Sequence, residues 1–509
     1  MAAQQIMEAI RMVLLNPFCL ILILMGVVVG IIFGSIPGLS STMALILFLP
    51  MSFGMEPMNG IALLIGLYLG GMSGGLISAI LLKIPGTPSS IATVFDGGPM
   101  ADKGEAGRAI GIGILTSFVG GLISILALMF ISPYLAKVTL AFTSAEYFAI
   151  ALFALTIISS LSGTSMINGI LSGFLGIALS LVGIAPIDGA IRFTFGQSKL
   201  YGGFNQVVIL IGIYAVTDII RTGFERKNIL NTAVKKSYQM DSLYGIKLGD
   251  YLKRWFNIIR SALIGLGIGI LPGIGGSTAS LLAYTAAKNG SKHPETFGKG
   301  EVDGLIASET SNNAVIGGSL IPLITMGIPG NVATAVFLGG LTIHGISPGP
   351  LVFTKSGQFI YGIFIALVVA NIFMLIAERA GLKVFVKLLD VPKYYLLPVV
   401  TVCCIIGAYC SKFTTFDVYC VFIFGVIGVL FKYLKIPATP LIIGFILGSM
   451  TETNFRQALM QTGGSWSIFV TRPISLIFLL VAVLSVAMTI RKQIVNKKAG
   501  KVQEEEEES

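Results

Sequence analysis

The chain has 509 residues, of which 54% are hydrophobic and only 11% charged, against about 25% charged in an ordinary soluble domain. With a mean hydropathy of +0.89, it has too little polar surface for a water-soluble particle. The net charge of +10 does not indicate nucleic acid as a partner, because Lys and Arg are gathered in a few segments between apolar runs, as the cytoplasmic-loop bias of membrane proteins requires.

Apolar runs of roughly 18 to 25 residues recur along nearly the whole length, which predicts an all-α polytopic membrane protein with about a dozen transmembrane helices. Arg11 precedes a first run that continues past residue 33 without an A-x-A-like cleavage site, so it reads as a retained span. Inside it, GIIFGSIPGLSST (30–42) places a Pro-Gly break and hydroxyl side chains where water is absent, and a second break follows at IPGTPSS. The polar island GIAPIDGAIRFTFG (183–196) sets Asp188 and Arg192 four residues apart, a spacing that lets them pair on one helix turn. An interfacial ion pair that fixes a loop is the first reading, and direct substrate contact is the other.

The stretch from 221 to 260 carries nine Lys and Arg, including Arg221, Arg226, Lys235 and Arg260, and is expected to be a cytoplasmic loop. Further on, GLGIGILPG (265–273) and GGSLIPLITMGIPGNVAT (317–334) bring two more breaks. Arg491, Lys492, Lys497, Lys498 and Lys501 follow the last apolar run and precede EEEEES, so residues 491–509 read as a disordered basic-then-acidic cytoplasmic tail. Five cysteines in or beside apolar segments, with no metal-site spacing to histidines, read as free thiols and no metal site.

The four breaks form two ordered pairs. GIIFGSIPG matches GLGIGILPG, both G-x-x-x-G-x-(Ile/Leu)-P-G, and the Gly pair and Ile-Pro-Gly of residues 74–90 match those of 317–334. Pro37 and Pro272 are 235 residues apart, and Pro85 and Pro329 are 244 apart. This order predicts an internal duplication, with residues 1–220 as the first transmembrane half, 221–260 as the basic loop and 261–490 as the second half. Loop charge favours inversion: Lys103 and Arg108 follow the second break of the first copy, whereas Lys288, Lys292 and Lys299 follow the first break of the second. A simple span count places 288–304 outside, and a re-entrant hairpin at Pro272 and Gly273 removes that conflict.

Proline removes a backbone donor and glycine tolerates the dihedrals of an interrupted helix. Freed N–H and C=O groups in hydrocarbon each cost several kcal/mol, so a break at the midplane needs protein groups, water, an ion or a substrate to satisfy it. The half-helix starting after each break turns its positive end toward anions such as carboxylates. The candidate substrate-binding residues are therefore Gly38, Ser40, Ser41, Thr42, Gly86, Thr87, Ser89 and Ser90 in the first copy, and Gly273, Gly276, Ser277, Thr278, Gly330, Asn331 and Thr334 in the second. For any single Ser or Thr, bonding back to its own helix is the bland alternative. Freed carbonyls, Asp96 and Glu309 are candidates for a coupling Na⁺ or H⁺; Asp96 alternatively lies at a loop edge as a helix cap beside Gly97 and Gly98. With two histidines and no H-E-x-x-H, G-x-S-x-G or G-K-(S/T) motif, the chain is not expected to be an enzyme, and no other cofactor is expected. A channel filter would come from repeated subunits or charged rings, which two unequal copies in one chain do not suggest.

GSIPGLSSTMALILFLP, IPGTPSSIATVFDGGPMADKGEAGRAIG, RFTFG and ILPGIGGSTASLLAYTAAK together resemble the large membrane subunit of tripartite tricarboxylate transporters, the TctA family, over residues 20 to about 470. The resemblance implies a bacterial inner-membrane secondary transporter that works with a small TctB-like membrane subunit and a periplasmic TctC-like solute-binding protein. It also implies a carboxylate substrate such as citrate and uptake driven by a cation gradient. The family's Gly-rich motifs fall on Pro37 to Thr42, Pro85 to Ser90, Pro272 to Thr278 and Pro329 to Asn331. Asp218 stands where many relatives are expected to carry glutamate, and the acidic tail is not a family feature. A membrane scaffold or sensory subunit without transport is the alternative from another class.

Overall fold

The computed structural model describes residues 2–161, 166–224, 245–389 and 393–498. Residues 225–244, the middle of the basic segment, and the whole acidic tail therefore lie outside the described residues. The chain is almost entirely helical among these, with one two-stranded hairpin, Gly183–Ile184 against Ile191–Arg192. In chain order the helices are α1 Ala2–Val13, α2 Pro17–Ser35, α3 Ser41–Phe48, α4 Pro57–Leu81, α5 Ile91–Asp102, α6 Ala106–Thr139, α7 Ser144–Leu161 and α8 Met166–Ser180. After the hairpin come α9 Gln206–Leu210, α10 Thr217–Phe224, α11 Leu248–Leu252, α12 Trp255–Ile270, α13 Gly275–Asn289, α14 Val302–Met326 and α15 Val332–Ile343. The last are α16 Val352–Lys355, α17 Gly357–Leu388, α18 Lys393–Lys412, α19 Thr415–Tyr433, α20 Ala438–Gln461, α21 Ile468–Thr471 and α22 Pro473–Lys498.

Six helical stretches are long and apolar enough to cross a membrane: α2, α4, α6, the continuous run Gln206–Gly223, α17 and α19. Shorter apolar helices include α3, α12 and α15. The protein is thus a helical, multi-pass membrane protein. Two compact units are present, one of Met1–Leu140 with Val207–Val429 and one of Ala141–Gln206 with Leu430–Ser509. All four broken segments lie in the first.

Local chemistry sets the helix ends. The Asn16 side chain accepts N–H bonds from Phe18 (3.1 Å) and Cys19 (3.2 Å) and Pro17 opens α2, the cap-then-proline pattern that satisfies a helix start. At its other end Pro37 has no N–H to continue the helix and Gly38 turns the chain at φ 90°. Helix α4 is buried throughout, and its glycines explain why. A Cβ on Gly70 would strike the carbonyl of Val27, and one on Gly74 would meet that of Ile31 at 2.5 Å. Glycine at these positions lets the backbones of α2 and α4 touch, the usual way helices associate without a hydrophobic drive.

The same seam recurs in α12 against α14. Gly30 sits on the carbonyl of Leu67, and Gly265 on that of Ser311. Gly34 sits on the carbonyl of Gly71, and Gly269 on that of Val315. Gly74 meets Ile31, and Gly318 meets Leu266. Gly86 packs on the carbonyl of Gly34, and Gly330 on that of Gly269. In each pair the residues of α2 and α12 differ by 235 and those of the partner segments by 244, the offsets of the sequence matches.

Helices α4 and α14 run antiparallel. The Tyr68 hydroxyl meets Ser319 Oγ at 3.0 Å, and Asn312 Nδ2 donates to the carbonyl of Met72 at 3.2 Å, so the chain advances on α4 as it retreats on α14. In the second unit, α8 and α20 approach through Gly176 on Leu441 and Gly444 on Gly173. All five cysteines are free thiols.

Candidate substrate and ion site

The four breaks gather on one face of α4 between Tyr68 and Met72. Ser41, at the start of α3, turns its hydroxyl to Met72 Sδ at 3.6 Å. Gly276, at the start of α13, lies so close to Ser89 that a Cβ would come within 2.8 Å of the serine Cβ and 3.3 Å of Met72 Cε. Asn331, after the fourth break, donates from Nδ2 to the Tyr68 hydroxyl at 3.1 Å. Gly273 donates its N–H to Gly330 O at 2.7 Å.

Three of the four new helices are capped by their own residues. Ser40 Oγ accepts from Met43 N at 3.2 Å. Thr87 and Ser90 form a reciprocal capping box, with Ser89 Oγ 3.0 Å from Thr87 Oγ1. Asn331 and Thr334 form another, with bonds of 2.9 Å in both directions. The local alternative thus accounts for Ser40, Thr87, Ser90, Asn331 and Thr334. Thr42 is half-buried beside them.

Helix α13 differs. No side chain caps its start, and its first N–H groups, the half-buried Ser277 and Thr278, and Gly275 at φ 74° are left for another acceptor. Neither hydroxyl has a hydrogen-bond partner among the described residues. Asn312 Oδ1 is buried without a donor and lies 3.1 Å from where a Gly276 Cβ would be. A 15-residue helix with an open amino end, flanked by two hydroxyls, is a ready anion-binding element.

The two candidate acids are in different settings. Asp96, fully buried on α5, accepts N–H bonds from Gly298 (2.9 Å), Gly300 (2.8 Å) and Glu301 (2.7 Å) on one carboxylate oxygen, which clamps the turn leading into α14. It therefore caps a distant loop rather than its own helix. Glu309, fully buried on α14, accepts from Thr93 of α5 and from Ser117 of α6 at 3.0 Å. A third buried acid, Glu378 on α17, escaped the sequence reading. Its signal was present as FMLIAERAG, a glutamate followed by Arg379 at the end of a long apolar run.

Asp188 and Arg192 do not pair on a helix turn, because their segment is the hairpin. Arg192 forms a bidentate pair with Glu452, its Nη2 2.9 Å from Oε2, while Asp188 pairs with Arg456, which also bonds Glu452 at 3.1 Å. The Arg456 guanidinium holds the Asp188 carboxyl below the usual aspartate range. The segment is thus fixed by an ion-pair network, not by a local pair.

The sequence matches the family model described as the tripartite tricarboxylate transporter TctA family over residues 20–443. The chain belongs to the TctA family. The chain is also similar to two curated proteins of Agrobacterium vitis. One, an uncharacterised 52.8 kDa protein in the TAR-I ttuC' 3' region, is 34% identical over 484 residues, 95% of both chains. The other, an uncharacterised protein in the TAR-II ttuC' 3' region, is 33% identical over 231 residues, 45% of this chain and 96% of its own. No solved structure matches. The TctA match encloses all four breaks and the wholly buried Asp96, Glu309 and Glu378.

Proposed function

We propose that this membrane subunit is the translocation pathway of a cation-gradient-driven, binding-protein-dependent secondary transporter for tricarboxylates or related carboxylates in a bacterial inner membrane, with its C-terminus cytoplasmic. The observation that carries the proposal is the convergence of four broken segments on α4, with one helix end left open. A carboxylate is held by the α13 N–H groups, Ser277 and Thr278, with Ser41, Ser89 and Gly276 shaping the adjacent wall. The capped breaks hold the irregular backbone that lines the site.

The two halves, 1–220 and 261–490, are read as inverted repeats. The paired glycine contacts at offsets of 235 and 244 support duplication, and the antiparallel run of α4 and α14 supports inversion, since residues 68 and 312 are equivalent under the second offset. Repeats of this kind rock about a fixed midplane site in alternating access. A small TctB-like membrane subunit and a periplasmic TctC-like binding protein complete the assembly, the latter docking on loops 51–59 and 341–356. Na⁺ or H⁺ couples through Glu309, while Asp96 with its three N–H donors holds the α14 turn in register.

The test is uptake of a labelled carboxylate panel, citrate included, by vesicles containing this chain and its two partner subunits under an imposed Na⁺ or pH gradient. Gradient-dependent accumulation is expected. No uptake across the panel with all three subunits assembled would favour the scaffold or sensory role.

A further inference from the structure

Glu309 and Glu378 are both wholly buried in the first unit, yet only Glu309 has hydrogen-bond donors. Neither carboxyl oxygen of Glu378 has a partner among the described residues. The polar group beside it is Ser73 of α4, itself wholly buried, whose hydroxyl also lacks a partner of regular geometry.

The surroundings bring no counter-charge. Helix α4 carries no charged residue and α2 none. Helix α1 brings Glu8 and Arg11, α16 brings Lys355, and α6 brings Arg108 and Lys137. Helix α17 itself carries Arg379, Lys383 and Lys387. None of these cations bonds Glu378, whose carboxyl oxygens have no partner among the described residues, whereas α14, held to α4 one residue from Ser73 by the Asn312 bond to the carbonyl of Met72, brings Glu309, another acid. An isolated carboxylate in a low-dielectric interior is too costly to keep ionised without donors or a cation, so it takes a neutralising partner.

We propose that Glu378 is a proton-binding site coupled to Glu309, so that the pair takes up and releases protons as one unit. A proton adds to a carboxylate oxygen of Glu378, forming an O–H bond and taking the group from one negative charge to none; on release the proton returns to water, and nothing is oxidised or reduced. Glu309, with two hydroxyl donors, is the partner equipped to stay ionised. No group of three or more His, Cys, Asp or Glu able to hold a metal exists among the described residues. Two interacting acids titrate as a pair rather than singly. The coupling of this proton to substrate movement rests on the proposed transport function; the existence of the site does not.

Infrared difference spectra of the purified full chain in lipid nanodiscs, recorded across a pH series, follow the C=O stretch of protonated carboxyl groups. Wild type is expected to show a titrating buried-carboxyl band that E378Q deletes, E309Q moves along the pH axis and S73A moves in frequency. If E378Q does not fold, E378D and S73A carry the test, each displacing the band. Spectra of the E378 and S73 variants that superimpose on wild type at every pH overturn the proposal. In vesicles with the partner subunits, E378Q should lose accumulation driven by a pH gradient while still exchanging labelled for unlabelled substrate. Proton-driven accumulation by E378Q equal to wild type overturns the coupling role. A titrating Glu378 band in a wild-type protein that moves no carboxylate leaves the proton site standing and removes the transport reading instead.

Discussion

The backbone N–H of Gly273 donates to the carbonyl of Gly330 at 2.7 Å, so the two interruptions of the second half satisfy each other. A freed donor and a freed acceptor cancel across the break, which removes the cost that unpaired groups incur in an apolar interior. Gly273 holds φ 81°, a conformation side chains disfavour.

Gly273→Val should therefore abolish transport, because a β-branched residue resists this backbone and displaces the donor. Gly38→Val, at φ 90°, should do the same in the first half. Uptake in vesicles measures it, with membrane yield as the control for folding.

Ser277→Ala should lower carboxylate affinity roughly 10- to 150-fold, the effect of losing one hydrogen bond worth about 1.5 to 3 kcal/mol to a charged ligand. Ser40→Ala should act differently, since its hydroxyl caps α3. The expected cost is about 0.5 to 2 kcal/mol of stability with affinity nearly unchanged. Equilibrium binding and thermal denaturation of both variants separate the two roles.

Asp96→Ala removes the acceptor for three backbone N–H groups at once. Each lost bond to a charged group is worth about 1.5 to 3 kcal/mol, so a large fall in thermal stability is expected, with faster proteolysis between residues 290 and 301. Limited proteolysis in detergent checks it.

Asp188 is held below its ordinary value by Arg456. A depressed acid contributes stability above its unfolded pKa and loses it as pH falls through the lowered folded value. The contribution should thus be constant at neutral pH and disappear only below the ordinary aspartate value of 3.8. Asp188→Asn should melt earlier than wild type at pH 7 and coincide with it in strong acid. Melting curves across pH test this.

The breaks were legible in the sequence because proline and glycine act on the backbone directly, wherever the rest of the chain lies. The paired order of those breaks was legible too, and Gly34 and Gly269 occupy the equivalent contacts that order implies. The use of each hydroxyl was not, since Ser40 and Ser277 look alike in a string of letters while only one has an N–H three residues on within reach. Long-range partners were equally hidden. Asp188 and Arg192 suggested a local pair, and nothing near them announced Glu452 and Arg456 some 260 residues away. Glu378 was visible as an acid closing an apolar run beside Arg379, but only the fold shows that its carboxyl oxygens have no partner among the described residues.

Ser40 and Gly275 occupy corresponding places in the two halves, 235 residues apart. One carries an oxygen that closes its helix end, and the other carries no side chain at all. An oxygen at the second place, as at the first, would close that helix end too, and the exchange leaves the α13 end open. The expected binding stoichiometry is therefore one carboxylate per chain, and Gly275→Ser, by bringing a hydroxyl to the open end of α13, should weaken carboxylate binding.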